Sequence, residues 1–513
     1  MSDRGLTLFT DWYSVWPGNI GIDANGLGRP VDLPRGVRLA VQPAVSTAPV
    51  LQADRPWESG FLWTSVVRDA NTFKMWYMVA AVERDAGGKV VKDTNFDPQA
   101  GEFEGAKKQN FICYAESDDG FAWRKPELGM HAFAGSRANN IVLPCVEDGF
   151  DSVFRDRDGG WRMLFHAAPL PGGRSIWACM RSRTSRDGLR WTPDEAPVMD
   201  MYCDTQNVGF YDELLQEYAC YVRFPRGTRR AVGLTRGKEF RHLPHPEIVF
   251  EPDPQDGPSL DFYTPAYSRH PHYLEAARRD TFDLMGRTEG IQRQHDARDM
   301  HFLFSSVYHR DRDVTDIQLA VSRDGRQWSR PERVPIIPLG PDGCGAGDSL
   351  YAVPGIHVLD SGRWGVLYSA SDRLHNTGFT NPEILGNAQY RWATWQPNRL
   401  VALQAESDGA CTVLLNGRAA REMRFNYQTE TGGSIRAELI KGDPRTHEGL
   451  WPPSGPTPLA GYTFSDCDPL VGDSLAQPVT WKGSSALPAD DAASDTVLRL
   501  RLIRAKLFAI EWE

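Results

Sequence analysis

One short phrase recurs along this chain and limits what it can fold into. Ser117-Asp-Asp-Gly-Phe-Ala-Trp123 returns as Ser185-Arg-Asp-Gly-Leu-Arg-Trp191 and as Ser322-Arg-Asp-Gly-Arg-Gln-Trp328. Each copy follows a small-residue strand (Cys113-Tyr-Ala-Glu, Cys179-Met-Arg-Ser, Leu319-Ala-Val), and two precede a basic residue and a proline, Lys125-Pro126 and Arg330-Pro331. Thr235-Arg-Gly-Lys-Glu-Phe240 reads as a degenerate copy and Ser407-Asp-Gly409 as a fifth. Asp-Gly supplies the positive φ that a tight turn needs, and the Trp three residues on can cover that turn. A period of roughly 50–90 residues, with about four strands per unit, reads as propeller blades.

The stretches between the turns are short and β-patterned. Phe73-Lys-Met-Trp-Tyr-Met-Val79, Trp161-Arg-Met-Leu-Phe165, Glu217-Tyr-Ala-Cys-Tyr-Val-Arg223, His301-Phe-Leu-Phe-Ser-Ser306 and Trp364-Gly-Val-Leu-Tyr368 are of strand length, and several follow a turn signal. Only 274–298 looks helical. After 410 the turn phrase is gone and strands with polar alternation continue, as in Val497-Leu-Arg-Leu-Arg-Leu-Ile503. The expected fold is all-β: a five-bladed β-propeller over 49–410, followed by a C-terminal β-sandwich over 411–513, with 1–48 packing on one or both. Two insertions, 83–109 and 274–298, read as lids, solvated loops or subunit contacts.

Composition removes several classes. The formal charge of −10 lacks the basic footprint of a nucleic-acid binder. No apolar run approaches the ~18–20 residues that span a bilayer, and the first residues hold no apolar signal core. Eight scattered cysteines without a Cys-x-x-Cys pair read as reduced thiols in a cytoplasmic protein. His242-Leu-Pro-His245 and His270-Pro-His272 lack partners at zinc spacing. Gly343-Cys-Gly-Ala-Gly347 precedes a strand, so it is no phosphate loop, and no Gly-x-Ser-x-Gly elbow appears. The expectation is therefore no cofactor, no metal, and no nucleic-acid or membrane partner; a homo-oligomer stays open.

The first strand of a propeller blade lines the axis, and here each begins with an acid: Glu58, Asp151, Asp204, Asp261 and Asp348. Five carboxyls converging on one funnel cannot all ionise cheaply, so some should hold protons. Glycoside hydrolysis needs that division: one protonated carboxyl for the leaving oxygen, and one carboxylate as nucleophile or base. Trp57 and Trp63 flank the first acid, and Tyr263 follows Asp261 closely; such rings can cover the apolar face of a sugar. Gln206 and Asn207 offer amide hydrogen bonds to hydroxyls, and His270 reads as a substrate contact.

Asp204-Thr-Gln-Asn207, Leu260-Asp-Phe-Tyr-Thr264, Pro338-Leu-Gly340, Phe464-Ser-Asp-Cys-Asp468 and Trp481-Lys-Gly483 resemble segments of the five-bladed propeller glycosidases of glycoside hydrolase families 32, 43 and 68, and of the bacterial family-32-like group among them. The resemblance covers nearly the whole chain. It implies that the first three blades carry the chemistry: Glu58 as nucleophile or base, Asp151 as stabiliser or pKa modulator, and Asp204 as general acid. None of the three family motifs is intact, and Phe150 stands where an Arg would precede the second acid. The implied substrate is a small glycoside or oligosaccharide, a furanoside by analogy, with transglycosylation as the same chemistry on a sugar acceptor. A non-catalytic carbohydrate- or protein-binding propeller is the rival reading. A lyase or isomerase acting on an acidic sugar ranks last, because clustered acids would repel a uronate.

Overall fold

The computed structural model of the chain describes residues 5–22, 25–91, 108–145, 149–168, 178–201, 203–276, 297–341, 343–376, 388–414, 421–441, 457–488 and 496–512. Residues 92–107 of the first insertion and 277–296 of the expected helical stretch lie outside them. Among the described residues the α-helical part is one turn, Tyr273–Ala276.

Alternating apolar residues with Asp/Gly punctuation build antiparallel meanders. Three separate four-stranded sheets follow in chain order. The first holds Gly60–Asp69, Thr72–Val82, Lys108–Ser117 and Ile141–Cys145; the second holds Ser152–Arg155, Trp161–Ala167, Cys179–Ser185 and Thr192–Pro193. The third holds Val208–Asp212, Glu217–Arg226, Arg229–Gly237 and Glu247–Phe250. The fourth (Leu260–Arg269, His301–His309, Val314–Ser322, Pro335–Ile337) touches the fifth through a single parallel pair, Thr315 with Ser349. The fifth runs Ser349–Ala352, Trp364–Ser371, Gln389–Trp395, and its outermost strand comes from the N-terminal region, as Val45–Ser46 and Leu51–Gln52.

Hydroxyls stitch the first strands to one another. Ser65 Oγ accepts the Val153 N–H (2.9 Å), Ser152 Oγ that of Gly209 (3.0 Å), and Ser268 Oγ that of Ile356 (2.7 Å). Each bond satisfies a backbone donor that the edge of a sheet would leave unpaired.

The repeated turn does the same work on the outer part of the ring. In all three copies the Ser Oγ accepts the Gly N–H at 2.9 Å, and the Asp caps the two following N–H groups. That geometry needs Gly at φ of +80°, +79° and +69°. The Gly carbonyl is left to accept from the neighbouring blade. Trp76 of blade one donates to Gly188 of blade two (2.6 Å), and Tyr221 of blade three to Gly325 of blade four (2.6 Å). Trp392 of blade five donates to Gly120 of blade one (2.7 Å), so the last blade abuts the first. In the degenerate copy Phe240 takes the Trp place and meets Phe154 of blade two edge-on at 5.2 Å. Ser407-Asp-Gly409 is not a fifth turn: it lies inside the strand Val401–Val413, beside a bulge, in a different sheet.

That sheet has six strands. Met423–Lys441 and Thr496–Trp512 form its centre, with Val401–Val413, Asp473–Pro478, Gly5–Leu8 and Arg38–Val41 around them. Its long strands carry register shifts at Asn426/Tyr427, Thr429/Ser434 and Ala405/Asp408, where extra residues bend them. The N-terminal segment thus enters both parts of the molecule, and residues 401–410 pair with the later strands. One apolar cluster joins Leu403, Phe425 and Leu507 of this sheet to Phe304, Trp364 and Trp395 of blades four and five.

Candidate active site

The five acids stand at the starts of the first strands, but Glu58, Asp151, Asp204 and Asp261 pair with other groups rather than with one another. Each of these four is matched to a basic group: Lys125, His166, Arg223, and Arg230 with Arg310.

Glu58 is sealed. Its side chain is 0% exposed; Oε2 pairs with Lys125 Nζ at 2.6 Å and accepts the Asp54 N–H, and Oε1 accepts the Tyr77 hydroxyl at 2.7 Å. Lys125 is 5% exposed and also holds Asp54 Oδ1 at 2.6 Å. All the partners of this carboxylate are protein groups, so the expected nucleophile or base is held here as a buried ion pair. Trp57 beside it is a core residue: its indole N–H donates to Asn140 Oδ1 (3.0 Å) and its ring meets Phe133 edge-on.

Asp151 is also buried, and it staples a blade seam. Oδ1 accepts the backbone N–H of Asn207 (3.0 Å) and its side-chain amide (2.6 Å), while Oδ2 lies 3.2 Å from His166 Nδ1. Burial pushes its pKa up, against the lowering pull of His166 and Asn207. The imidazole lies flat over Gly149, where a Cβ would come within 2.0 Å of Nε2. Gln206 and Asn207, expected to meet sugar hydroxyls, are bonded within the same seam. The Gln206 amide donates to the Thr64 and Asp151 carbonyls, and Asn207 Oδ1 accepts the Arg223 N–H.

Asp261 staples blades three and four. It accepts the Arg230 N–H (3.0 Å) and pairs with Arg230 Nη1 and Arg310 Nε, both at 2.7 Å. Burial raises its pKa, but the two guanidiniums outweigh burial and hold the carboxyl below its ordinary range. Its side chain, expected at a sugar, is 0% exposed. Asp348 is half-buried, and its backbone links Ser371 to Thr315. His270 is a core imidazole: Nε2 meets Asn398 Oδ1 at 3.0 Å, the ring packs edge-on against Trp364, and burial drives its pKa down to about 3. Arg155 pairs with Asp69 and stacks on Trp161 at 3.9 Å.

Asp204 is different. Its carboxylate is 43% exposed, with one oxygen on the Thr205 N–H and the other 2.5 Å from Arg223 Nη2. Thr205 takes φ +75°, a strained turn for a β-branched residue that sets this carboxylate at the start of blade three. Its partner Arg223 stands over Tyr263 of blade four, where rings from three blades meet. Trp63 of blade one lies 6.4 Å from Tyr263 of blade four and 5.6 Å from Tyr351 of blade five. Tyr263 lies 4.5 Å from His375, and Tyr308 4.6 Å from it. The guanidinium carbons of Arg223 and Arg230 each stand 5.3 Å from the Tyr263 ring. Sequence reasoning missed Lys125, His166, Arg223, Arg230, Tyr308, Tyr351 and His375. Two signals were available: the basic residue before the proline after two of the repeats, and the arginine-rich run Arg223-Phe-Pro-Arg-Gly-Thr-Arg-Arg230.

Among the described residues no group of three or more His, Cys, Asp or Glu could hold a metal ion, and all eight cysteines are free thiols. No helix there is long and apolar enough to cross a membrane.

No family model matches the chain. Over 197 residues, 37% of the chain, it is 27% identical to the uncharacterized protein MT1551 of Mycobacterium tuberculosis (strain CDC 1551 / Oshkosh). The match spans 50% of that protein's length. Among solved structures, an N-acetylgalactosamine deacetylase from F. plautii in complex with blood group B trisaccharide is 15% identical, with a TM-score of 0.43 over 69% of this chain and 94% of that one. A family 43 arabinoxylan arabinofuranohydrolase from Bacillus subtilis is 9% identical, with a TM-score of 0.37 over 91% and 99%. A beta-1,2-mannobiose phosphorylase from Listeria innocua is 10% identical, with a TM-score of 0.41 over 78% and 99%. Likeness at this level says nothing about substrate or reacting groups.

Proposed function

We propose that this protein is a glycoside hydrolase that works at the mouth formed by the starts of the first strands. One observation carries the reading: a solvent-reaching carboxylate, Asp204, is joined through Arg223 to Tyr263, whose ring neighbours Trp63 and Tyr351 of two other blades. Such rings take the C–H face of a small glycoside, and the carboxyl addresses its glycosidic oxygen. Asp204 is the candidate catalytic acid. Asp151 acts one step back, orienting His166 and, through Asn207, the loop that bears Asp204. The resemblance to the propeller glycosidases favours a furanoside, and transfer to a sugar acceptor is the same step with water replaced.

The test is a panel of nitrophenyl glycosides and oligosaccharides with the wild type and Asp204→Asn. Loss of a general acid should lower turnover by ~10²–10⁴. Turnover unchanged in Asp204→Asn overturns the assignment. The sealed Glu58 favours a second reading, a propeller that binds carbohydrate without cleaving it. That reading predicts sugar binding without turnover, and only a modest loss of affinity in Asp204→Asn.

A further inference from the structure

We infer that a second site lies on the propeller axis, toward the far ends of the first strands, and that it takes a small uncharged aromatic molecule bearing a hydroxyl. The inference is independent of the glycoside chemistry proposed at the opposite mouth.

The fold leaves a cavity of about 300 Å³ there, and all five blades wall it. Blade one gives residues 65–67, blade two 152–154, blade three Val208–Asp212, blade four 267–271 and Tyr273, and blade five the loop 354–356. None of the five acids at the strand starts lines it.

The polar side chains of this wall are engaged within the protein. Ser65, Ser152 and Ser268 hold the N–H groups of Val153, Gly209 and Ile356. Asp212 accepts the Leu214 and Leu215 N–H groups and pairs with Arg236 and Arg269. Arg269 also gives Nε to the Tyr267 hydroxyl, and its Nη1 is shut away from solvent. His270 has both ring nitrogens occupied, by Asn398 and by the His272 N–H. An ion would find no open counter-charge here, and a sugar would find few partners for its hydroxyls.

What the wall offers is hydrocarbon and rings. Val66, Val153, Val208 and Ile356 are buried along it, and Phe154, Phe210, Tyr267 and Tyr273 bring rings from three blades. Phe210 and Tyr267 stack on each other at 4.6 Å, while Phe210 and Tyr273 are only half-buried, so part of each ring stays open to an occupant. Aromatic pairs gain more than the burial of their surface alone provides. One hydrogen-bonding group is left over. The Tyr273 hydroxyl makes no hydrogen bond among the described residues, while its ring is held by the Arg269 guanidinium at 5.0 Å. Burial pushes the pKa of that hydroxyl up to about 12, so it stays a donor at neutral pH. An apolar cavity of about 150 Å³ is enough for benzene, so about 300 Å³ takes one or two rings.

The test is titration calorimetry on the full chain at pH 7, with four probes of similar size: 4-methylphenol, toluene, 4-methylcyclohexanol and 4-methylbenzoate. The phenol should bind about tenfold tighter than the benzoate, whose charge would be buried unpaired, and tighter than the cyclohexanol, which has no ring face. Tyr273→Phe keeps the ring and removes the donor. It should weaken the phenol about three- to tenfold and leave toluene within about twofold. Pro354→Trp fills the cavity from a loop and should abolish binding of both, with the far-UV circular dichroism unchanged. Absence of binding by both phenol and toluene overturns the site. Equal or tighter binding of the benzoate or the cyclohexanol overturns the ligand class. An equal change for phenol and toluene in Tyr273→Phe overturns the role of the hydroxyl, and binding that survives Pro354→Trp puts the ligand elsewhere and overturns the site as well.

Discussion

Lys125→Met and Glu58→Gln decide whether the first acid of the ring is chemistry or masonry. Their exposures, 5% and 0%, make this a buried ion pair, and removing one partner of such a pair costs about 3–5 kcal/mol. The two sides are not equal. Without Lys125, Glu58 keeps only the Tyr77 hydroxyl and the Asp54 N–H, so Lys125→Met should fall in that full range. Without Glu58, Lys125 still holds Asp54 and the Gln52 carbonyl, so Glu58→Gln should cost less, about 1–3 kcal/mol. The double variant should cost less than the sum of the two, because no charge is then left buried alone. Urea unfolding of the four proteins measures this cycle, and turnover of a substrate found in the glycoside panel measures the other half. Glu58→Gln should keep kcat within about threefold once the folded fraction is accounted for. A variant that unfolds at the wild-type urea concentration yet loses over a hundredfold in turnover would refute the structural role and return Glu58 to the reaction.

Trp392→Phe removes the indole donor to Gly120 at the closing seam and should cost about 1 kcal/mol by urea unfolding, with earlier proteolysis near blades one and five. Gly188→Ala places a Cβ 2.8 Å from the Trp76 ring at φ +79°, whereas Gly159→Ala at φ +81° meets nothing within 4 Å. The first should therefore be the more destabilising by at least ~1 kcal/mol, and equal melting temperatures would contradict the seam geometry. Burial lowers the pKa of His270 to about 3 and of His357 and His375 to about 4. The unfolded chain takes up these protons near 6.5 while the folded chain refuses them, so stability is complete above that pH and falls as pH drops toward 4. Each of the latter two contributes at most about 2 kcal/mol at pH 5, opposed near the carboxylate range by Asp151, which burial raises. Unfolding midpoints at pH 7 and pH 5 should show the drop, and His357→Leu should flatten it.

The blades were legible because their turn is local chemistry. A Ser, an Asp and a Gly within four residues close their own hydrogen bonds, so the phrase survives in any context that reuses the unit. Ser407-Asp-Gly409 shows the limit: the same letters in an extended strand make a bulge, because neighbours along the sheet outbid the turn. The acids were legible as positions but not as chemistry, since a carboxyl's behaviour is set by its partner. Lys125 lies 67 positions from Glu58, and Arg310 49 from Asp261. The rings of the mouth carry no shared spacing. Trp63, Tyr263 and Tyr351 meet only because three strand starts converge on one axis.

The outer edge of blade five is made by residues 45–52, and residues 38–41 just before them pair with 401–404. On the ribosome these segments must wait for a home, for their partners are made several hundred codons later. Until then two β-edges stay open to strangers. Nascent copies of this protein should depend on chaperone cover until those partners are made, and a version with that stretch moved next to them should need less of it.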